Sequence, residues 1–334
     1  MSDDVWFGCH ASQEGCDFED MKRVCLEAER KGFDLFTVID HFMAQFPLKD
    51  RDNNPLESWT TLAGLAAVTS RIRLGPLVSC YAYRRPTVLA KMATTIDIIS
   101  NGRLVFGIGA GSSHGWQVQE FKGFMGRFPP TRERLRGLEE TVEICKGMFN
   151  NERTTYYGRL YKVDDVLNSP QPIQRPIPIM IGGGGERRTL RIAAKHADIS
   201  HLGFSGPTSD IKILDAKLSA LRKHCEAVGR DYDEIRKSVS FVIFTGRTEA
   251  ESEAKFGRFC EAIGIPRGSH AARWLLRRVG TPNKVASAIK EYVDKDLGLI
   301  TCTFYNFDDT HARDIDADLD DMNFFYDEVI PQLT

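Results

Sequence analysis

The chain has 334 residues, 42% of them hydrophobic and 27% charged, with a formal net charge of −2. That composition is ordinary for a globular chain long enough to bury a core without disulfide or metal staples, and its evenly spread Lys and Arg leave no footprint for nucleic acid. No uncharged apolar run of about 18 residues argues for a membrane span, the acidic start MSDDVWFGCH lacks a signal peptide's regions, and the eight cysteines show no CxxC pair, so a reduced, cytoplasmic protein is expected.

Short apolar strands alternate with amphipathic helices. Residues 5–9 read as the first strand and Phe18–Lys31 as a helix with Val24, Cys25 and Ala28 inward, stopped by Gly32. Residues 33–39 form the second strand, followed by a long connection through Pro47 and Pro55, a helix at 58–70 and a third strand at 72–80. Pro86 suits the first turn of a helix carrying Leu89, Met92, Ala93 and Ile96, and residues 103–108 make the fourth strand. A helix at 132–149 precedes an aromatic segment, 154–163, that reads as a β-hairpin outside the main repeat. Strands at 177–181, 198–202, 239–245 and 299–305 complete a count of eight, with helices at 189–197, 211–228, 249–263, 271–278, 282–295 and 324–330.

Eight strands mostly separated by helices favour a closed parallel (β/α)8 TIM barrel of the α/β class, as one domain over residues 1–334 with insertions in the βα loops. The count places the unusual residues. His10, His41, Ser79, the stretch from Gly107 to Ser113, Gly182 to Gly185 and His201 all fall at or just past strand ends, the face where barrel active sites sit.

Gly182, Gly183, Gly184 and Gly185 end the fifth strand and open a helix, an arrangement that suits a phosphate; a plain tight turn is the competing reading. Gly107-Ile-Gly-Ala-Gly111 has GxGxG rather than Rossmann spacing and no helix pattern directly after it, so a backbone wall beside a planar ligand, or packing at the mouth, fits better. Asp40-His41-Phe42 offers a histidine able to exchange a proton near neutrality, which Asp40 could orient. His10, His114 and His201 lack metal-ligand spacing and read as weak substrate-pocket residues, with no metal expected. Glu139 and Glu140 fit a solvated helix face, and Arg84, Arg85, Arg132 and Arg134 fit loop pinning. The loops at 43–55 and 257–277 are long enough to wall a pocket.

Taken in order, Asp40-His41-Phe42, Arg71-Ile-Arg-Leu-Gly75, Tyr83-Arg-Arg-Pro86, Leu89-Ala-Lys-Met-Ala93, Asp97-Ile-Ile-Ser-Asn-Gly-Arg103 and Gly107-Ile-Gly-Ala-Gly111 form a recognisable set. With Ile181-Gly-Gly-Gly-Gly-Glu186, Ala193-Ala-Lys-His-Ala-Asp198 and Gly280-Thr-Pro282, they resemble the luciferase-like monooxygenase superfamily over residues 5–330. The likeness is greatest to the branch using the deazaflavin coenzyme F420. The resemblance implies a tricyclic ring in the strand mouth, its phosphate on Gly182 to Gly185, with Ala110, Gly111 and Ser112 in the same pocket. It implies a non-proline cis bond at Leu77–Val78, so that Leu77, Val78 and Ser79 lie against the ring. It gives Asp40 and His41 the cofactor-side and catalytic positions, and implies a homodimer acting on a small molecule. Sugar-phosphate dehydrogenases of the branch carry a glutamate after the strand-four glycines; Ser112 stands there in this chain, leaving the general acid unassigned. The expected activity is hydride transfer between F420 and an organic substrate. The alternatives are an FMN-dependent monooxygenase, a non-catalytic flavin carrier and, outside the family, a metal-dependent hydrolase.

Overall fold

The computed structural model describes residues 5–45, 53–113, 115–203, 210–269, 272 and 275–333. The first half carries strands β1 (Trp6–Ala11), β2 (Leu35–Val38), β3 (Arg73–Pro76), β4 (Ser79–Cys80) and β5 (Phe106–Gly109), with helices α1 (Phe18–Lys31), α2 (Ser58–Val68) and α3 (Pro86–Ile99) between them. Helices α4 (Gly115–Met125) and α5 (Thr131–Asn150) follow, then an antiparallel hairpin of β6 (Arg153–Tyr157) and β7 (Lys162–Leu167). The second half begins with β8 (Ile179–Gly182), α6 (Thr189–His196), β9 (Ile199–His201), α7 (Ile211–Val228) and β10 (Arg236–Val242). It continues through β11 (Phe244–Thr245), α8 (Glu249–Ala262), β12 (Val279–Gly280), α9 (Pro282–Val293), β13 (Leu297–Thr303) and α10 (Ile315–Glu328).

Local chemistry sets the boundaries. Asp17 and Asp20 cap α1 reciprocally, and Gly32 ends it at φ 105°, a left-handed position that favours glycine. Between those ends Met21, Val24, Cys25 and Ala28 make one buried stripe.

The main sheet runs β3-β2-β1-β13-β10-β9-β8-β5-β4, with every pair parallel. It closes where Leu74 N donates to Arg103 O (3.0 Å) and Val105 N to Leu74 O (2.8 Å). β3 and β4 are halves of one barrel strand, divided at the Leu77–Val78 peptide bond, which is cis. β3 pairs with β2 and β4 with β5, so nine segments form an eight-stranded barrel.

Inward residues follow the strand period of two. At the N-terminal end Trp6 lies between the guanidinium groups of Arg73 and Arg236, 4.2 and 4.1 Å from its ring centre. An apolar layer of Leu35, Val105, Met180, Ile199 and Leu299 sits next, with Leu77 and Val78 against it. Toward the C-terminal ends the lining turns polar, through His10, Thr37, His201, Ser238 and Thr301. Outward residues such as Phe7, Phe36, Ile108, Val239 and Ile300 pack under the helices.

Several expectations change. A helix, α4, follows the strand-four glycines after all. The seventh strand begins earlier, at Arg236, and its expected end, Phe244–Thr245, leaves the barrel to pair with β12. Gly257 lies inside α8, as the helix reading at 249–263 requires and the loop reading at 257–277 does not, and the guanidinium of Arg267 occupies the space a side chain there would fill. Of the expected helix at 271–278, residues 271, 273 and 274 lie outside the described residues and Leu276–Arg278 is a 3-10 turn. Glu140 is not solvated: it is buried and accepts the amides of Arg159, Leu160 and Tyr161 at 2.9, 2.9 and 3.0 Å, holding the hairpin turn. All eight cysteines are free thiols, seven buried and Cys16 half-buried. Among the described residues no helix is long and apolar enough to cross a membrane.

The glycines of β5 make room for the divided strand. A methyl group at Gly107 would stand 1.9 Å from Pro76 O, and at Gly109 2.8 Å from the Val78 side chain. Gly123 in α4 has nothing within 4 Å. Gly107→Ala is therefore expected to lose about 3 kcal/mol or more of unfolding free energy. Gly123→Ala should gain about 0.5–1 kcal/mol. Urea melts of both variants measure the contrast, and equal effects would contradict this packing.

Candidate active site

Asp40 follows β2 and is 2% exposed. Arg84 grips it with both terminal nitrogens, at 2.8 and 2.9 Å, and Ser79 donates to it at 2.5 Å. Trp59 Nε1 donates in turn to Ser79 Oγ at 2.7 Å, and Arg84 also pairs with Glu57, the N-cap of α2. Burial alone would raise the Glu57 pKa, but Thr60 and Arg84 outweigh it and hold the group below the usual carboxylate range. The result ties Ser79, just past the cis bond, to both neighbouring units.

The orienting partner of His41 is Glu120 of α4, not Asp40. Its fully buried carboxylate lies 2.9 Å from His41 Nδ1 and accepts the amides of Phe42 (2.5 Å) and Met43 (3.0 Å) and the hydroxyl of Tyr83. Burial pushes the Glu120 pKa up, yet the hydrogen bond and charge of His41, the Tyr83 hydroxyl and the Phe42 amide bring it below the usual value. Glu120 thus stays an acceptor, and the hydrogen bond it takes from Nδ1 orients the His41 ring. The other nitrogen, Nε2, lies 3.5 Å from Gln117 Nε2, and the ring meets Trp116 edge-on at 4.7 Å. Gln117 Oε1 is buried with no hydrogen-bond partner among the described residues.

His10 and His201 line the same mouth. Their Nδ1 atoms lie 2.9 Å from Thr37 Oγ1 and 3.1 Å from Ser238 Oγ. Burial, aided by the charges of His201 and His41, lowers the His10 pKa to about 3; burial and Lys217 do the same for His201. Both are neutral at physiological pH. His114 lies outside the described residues.

The glycine segments meet across the β5–β8 pair, where Gly109 faces Gly182 and Gly182 faces His201. Val78 projects over both strands: a methyl group at Gly182 would stand 2.6 Å from it. At Gly107 and Gly109, then, packing of the bend replaces the expected ligand wall. Ala110, Gly111 and Ser112 continue past β5, and Arg134 pins the Ala110 and Gly111 carbonyls at 3.2 and 2.5 Å. Gly183 takes a φ of 123° and donates to His201 O at 2.9 Å. The N–H groups of Gly184 and Gly185 have no acceptor among the described residues. The group of described side chains spaced for a metal ion is Glu139, Glu143 and His196, in the helical layer rather than at the strand ends, and Lys195 already pairs with Glu139 at 2.6 Å.

Sequence reading missed Glu120 and Gln117, and it gave Tyr83 no role in the site. The available signal was the spacing of Gln117 and Glu120, three residues apart on one helix face, ahead of Phe121 and Phe124.

Glu120→Ala leaves His41, Tyr83 and two amides without their acceptor and is expected to cost about 3–5 kcal/mol in urea unfolding. The histidines set a pH response. Their folded pKa of about 3 lies below the unfolded value near 6.5, so stability present above pH 6.5 is lost as pH falls. At pH 5 the loss reaches at most about 2 kcal/mol per histidine. His201→Asn should flatten the slope of stability between pH 7 and 5; an unchanged slope contradicts the assignment.

Comparison with known proteins places this geometry. Residues 5–296 match the luciferase-like monooxygenase family. The pyrimidine monooxygenase RutA of Acinetobacter baylyi is 31% identical over 273 residues, covering 80% of this chain and 69% of that protein. The F420-dependent glucose-6-phosphate dehydrogenase of Kineococcus radiotolerans is 28% identical over 291 residues, covering 80% and 82%. The coenzyme F420-dependent tetrahydromethanopterin reductase of Methanopyrus kandleri superposes with a TM-score of 0.78 at 19% identity, covering 99% of this chain and all of that one. The chain belongs to the luciferase-like monooxygenase family, whose members are oxidoreductases built on this barrel.

Proposed function

We propose that this protein is an F420-dependent oxidoreductase that moves a hydride between the deazaflavin and a small organic substrate, with His41 handling the accompanying proton. The observation that carries this reading is the buried Glu120–His41 pair at a strand mouth lined by neutral His10 and His201. The residues fit a flavin-type group: open N–H groups at Gly184 and Gly185, the backbone at Ala110, Gly111 and Ser112, and Leu77, Val78 and Ser79 at the bend. When bound, such a ring supplies or accepts the hydride, and the protein supplies position and electrostatics.

With Nδ1 committed to Glu120, Nε2 is the His41 atom that takes the proton of a substrate hydroxyl or returns it in the reverse direction. Gln117 Nε2, 3.5 Å away, can donate to the same substrate oxygen. Asp40, held by Arg84 and Ser79, shapes the cofactor side of the mouth. Ser112, where related sugar-phosphate dehydrogenases carry glutamate, leaves the proton to the His41 pair. F420 use is supported by the dehydrogenase relative over most of both chains, and oxygenation by the monooxygenase relative. A homodimer outside the membrane, acting on a small molecule, completes the proposal.

Side-by-side titration with F420 and FMN, followed by absorbance and fluorescence, separates the two cofactors. Binding of neither at micromolar concentration refutes the proposal. Once a substrate is found, His41→Asn should lower kcat by about 10²–10⁴ while cofactor affinity stays within about threefold. Unchanged turnover in that variant excludes the proton role, and a protein that binds the ring without any turnover is a carrier. Stoichiometric zinc in metal analysis would instead favour a hydrolase.

A further inference from the structure

One face of α4 meets His41 from both sides of its ring. Trp116, Glu120 and Phe124 recur every four residues, with Gln117 beside Trp116. Glu120 takes Nδ1, which leaves Nε2 as the nitrogen open to a ligand. Gln117 Nε2 lies 3.5 Å from that atom, and the Trp116 ring centre lies 4.7 Å from the imidazole centre. A molecule that exchanges a proton with His41 Nε2 must therefore lie against Gln117 and beside Trp116.

Neither side chain is used up by the fold. The amide nitrogen of Gln117 is the atom that meets His41, while its Oε1 is buried and meets no donor among the described residues. A buried acceptor left without a donor is destabilising, and a ligand that brings the donor removes that cost. Trp116 is half-buried. The Phe42 and Phe124 rings, 4.5 Å apart, continue the aromatic surface, and Phe124 is exposed. Arg84, 5.8 Å from the centre of the Phe42 ring, is committed to Asp40 and Glu57.

We propose that Gln117 and Trp116 set the substrate class. It is an uncharged molecule with a flat apolar part for Trp116 and, next to the oxygen that meets His41, a second O–H or N–H for Gln117 Oε1. An aryl-substituted vicinal diol, or the matching hydroxyketone, has that chemistry. This rests on the proton role of His41 proposed above. Gln117 Nε2 donates to the reacting oxygen while Oε1 accepts from its neighbour. An alcohol with one hydroxyl cannot complete that two-point contact and leaves Oε1 buried without a donor. A sugar phosphate would bring a dianion to a surface that offers a carboxamide and an indole.

The test measures dissociation constants of three probes by ligand-observed NMR titration: styrene glycol, α-methylbenzyl alcohol, which lacks the second hydroxyl, and glucose 6-phosphate. Styrene glycol is expected to bind about tenfold tighter than α-methylbenzyl alcohol, and both tighter than the sugar phosphate. Gln117→Met should bring the two aryl alcohols within about twofold of each other by weakening the glycol alone, a change of ratio that a general loosening of α4 would not produce. Gln117→Asn, which withdraws the carboxamide by one methylene, should do the same and serves if the methionine variant does not fold. Trp116→Leu should weaken both aryl alcohols and leave their ratio unchanged. Equal binding of the two aryl alcohols to the wild type, or equal losses in Gln117→Met, overturns the role of Gln117. Tighter binding of glucose 6-phosphate overturns the substrate class. A protein that takes up F420 or FMN but none of the three probes overturns this inference and leaves the flavin reading standing, whereas one that takes up neither ring overturns both.

Discussion

A carboxylate shut away from water must collect donors, and at the strand mouth Glu120 collects four: His41, Tyr83 and the amides of Phe42 and Met43. Three stretches of chain are joined at that one group: the connection after β2, the connection before α3, and α4. The same hydrogen bonds that stabilise the charge also orient the ring of His41. Orientation of the proposed proton carrier and cohesion of the loops around it are therefore one interaction.

The device recurs through the barrel. Asp34 accepts Phe7 N at 2.9 Å and Asp198 accepts Ile179 N at 2.8 Å, each at the start of a strand of a neighbouring unit. Glu29 takes the amides of Ser70, Arg71 and Ile72 ahead of β3, and Asp97 takes those of Ile173 and Gln174 ahead of β8. Parallel strands entering a barrel leave backbone N–H groups outside the ladder, and these carboxylates satisfy them. At the opposite end the pattern changes. Asp40 engages the side chains of Arg84 and Ser79, and Glu120 engages His41 and Tyr83 as well as two amides, which converts a structural habit into a site with adjustable chemistry.

What the sequence made legible follows the same division. Alternating periods of two and of about 3.6 residues gave the strands and most helices, because inward and outward residues must segregate on a barrel strand. Helix α4 stayed hidden: Gly115 and Gly123 interrupt it, and its aromatic residues face loops rather than a sheet. Glu139 and Glu140 show why single acidic residues mislead. Adjacent in sequence, one pairs with Lys195 at the surface and the other is buried on three amides. Gly107 and Gly109 were conspicuous, but their task required knowing that Pro76 and Val78 would press on them. No local feature marks the Leu77–Val78 bond; only the whole-chain resemblance indicated it. Lys217 did leave a trace, as a lysine at a core position between Leu214 and Leu221.

On the proposed reading, the distribution of charge explains how such a mouth orients an elongated ligand. Arg84 neutralises Asp40, Glu120 is committed to His41, and His10 and His201 are held neutral, so the strand ends where a ring would lie present little fixed charge. The glycine loop presents the N–H groups of Gly184 and Gly185 and leads into α6, an arrangement that suits an anion. A molecule with an apolar ring at one end and a phosphate at the other has one favourable orientation there, because reversing it would place the anion beside buried neutral groups. Position at the reacting end is then set by attraction at the far end, leaving His41 to exchange a proton without also having to hold the ligand in place.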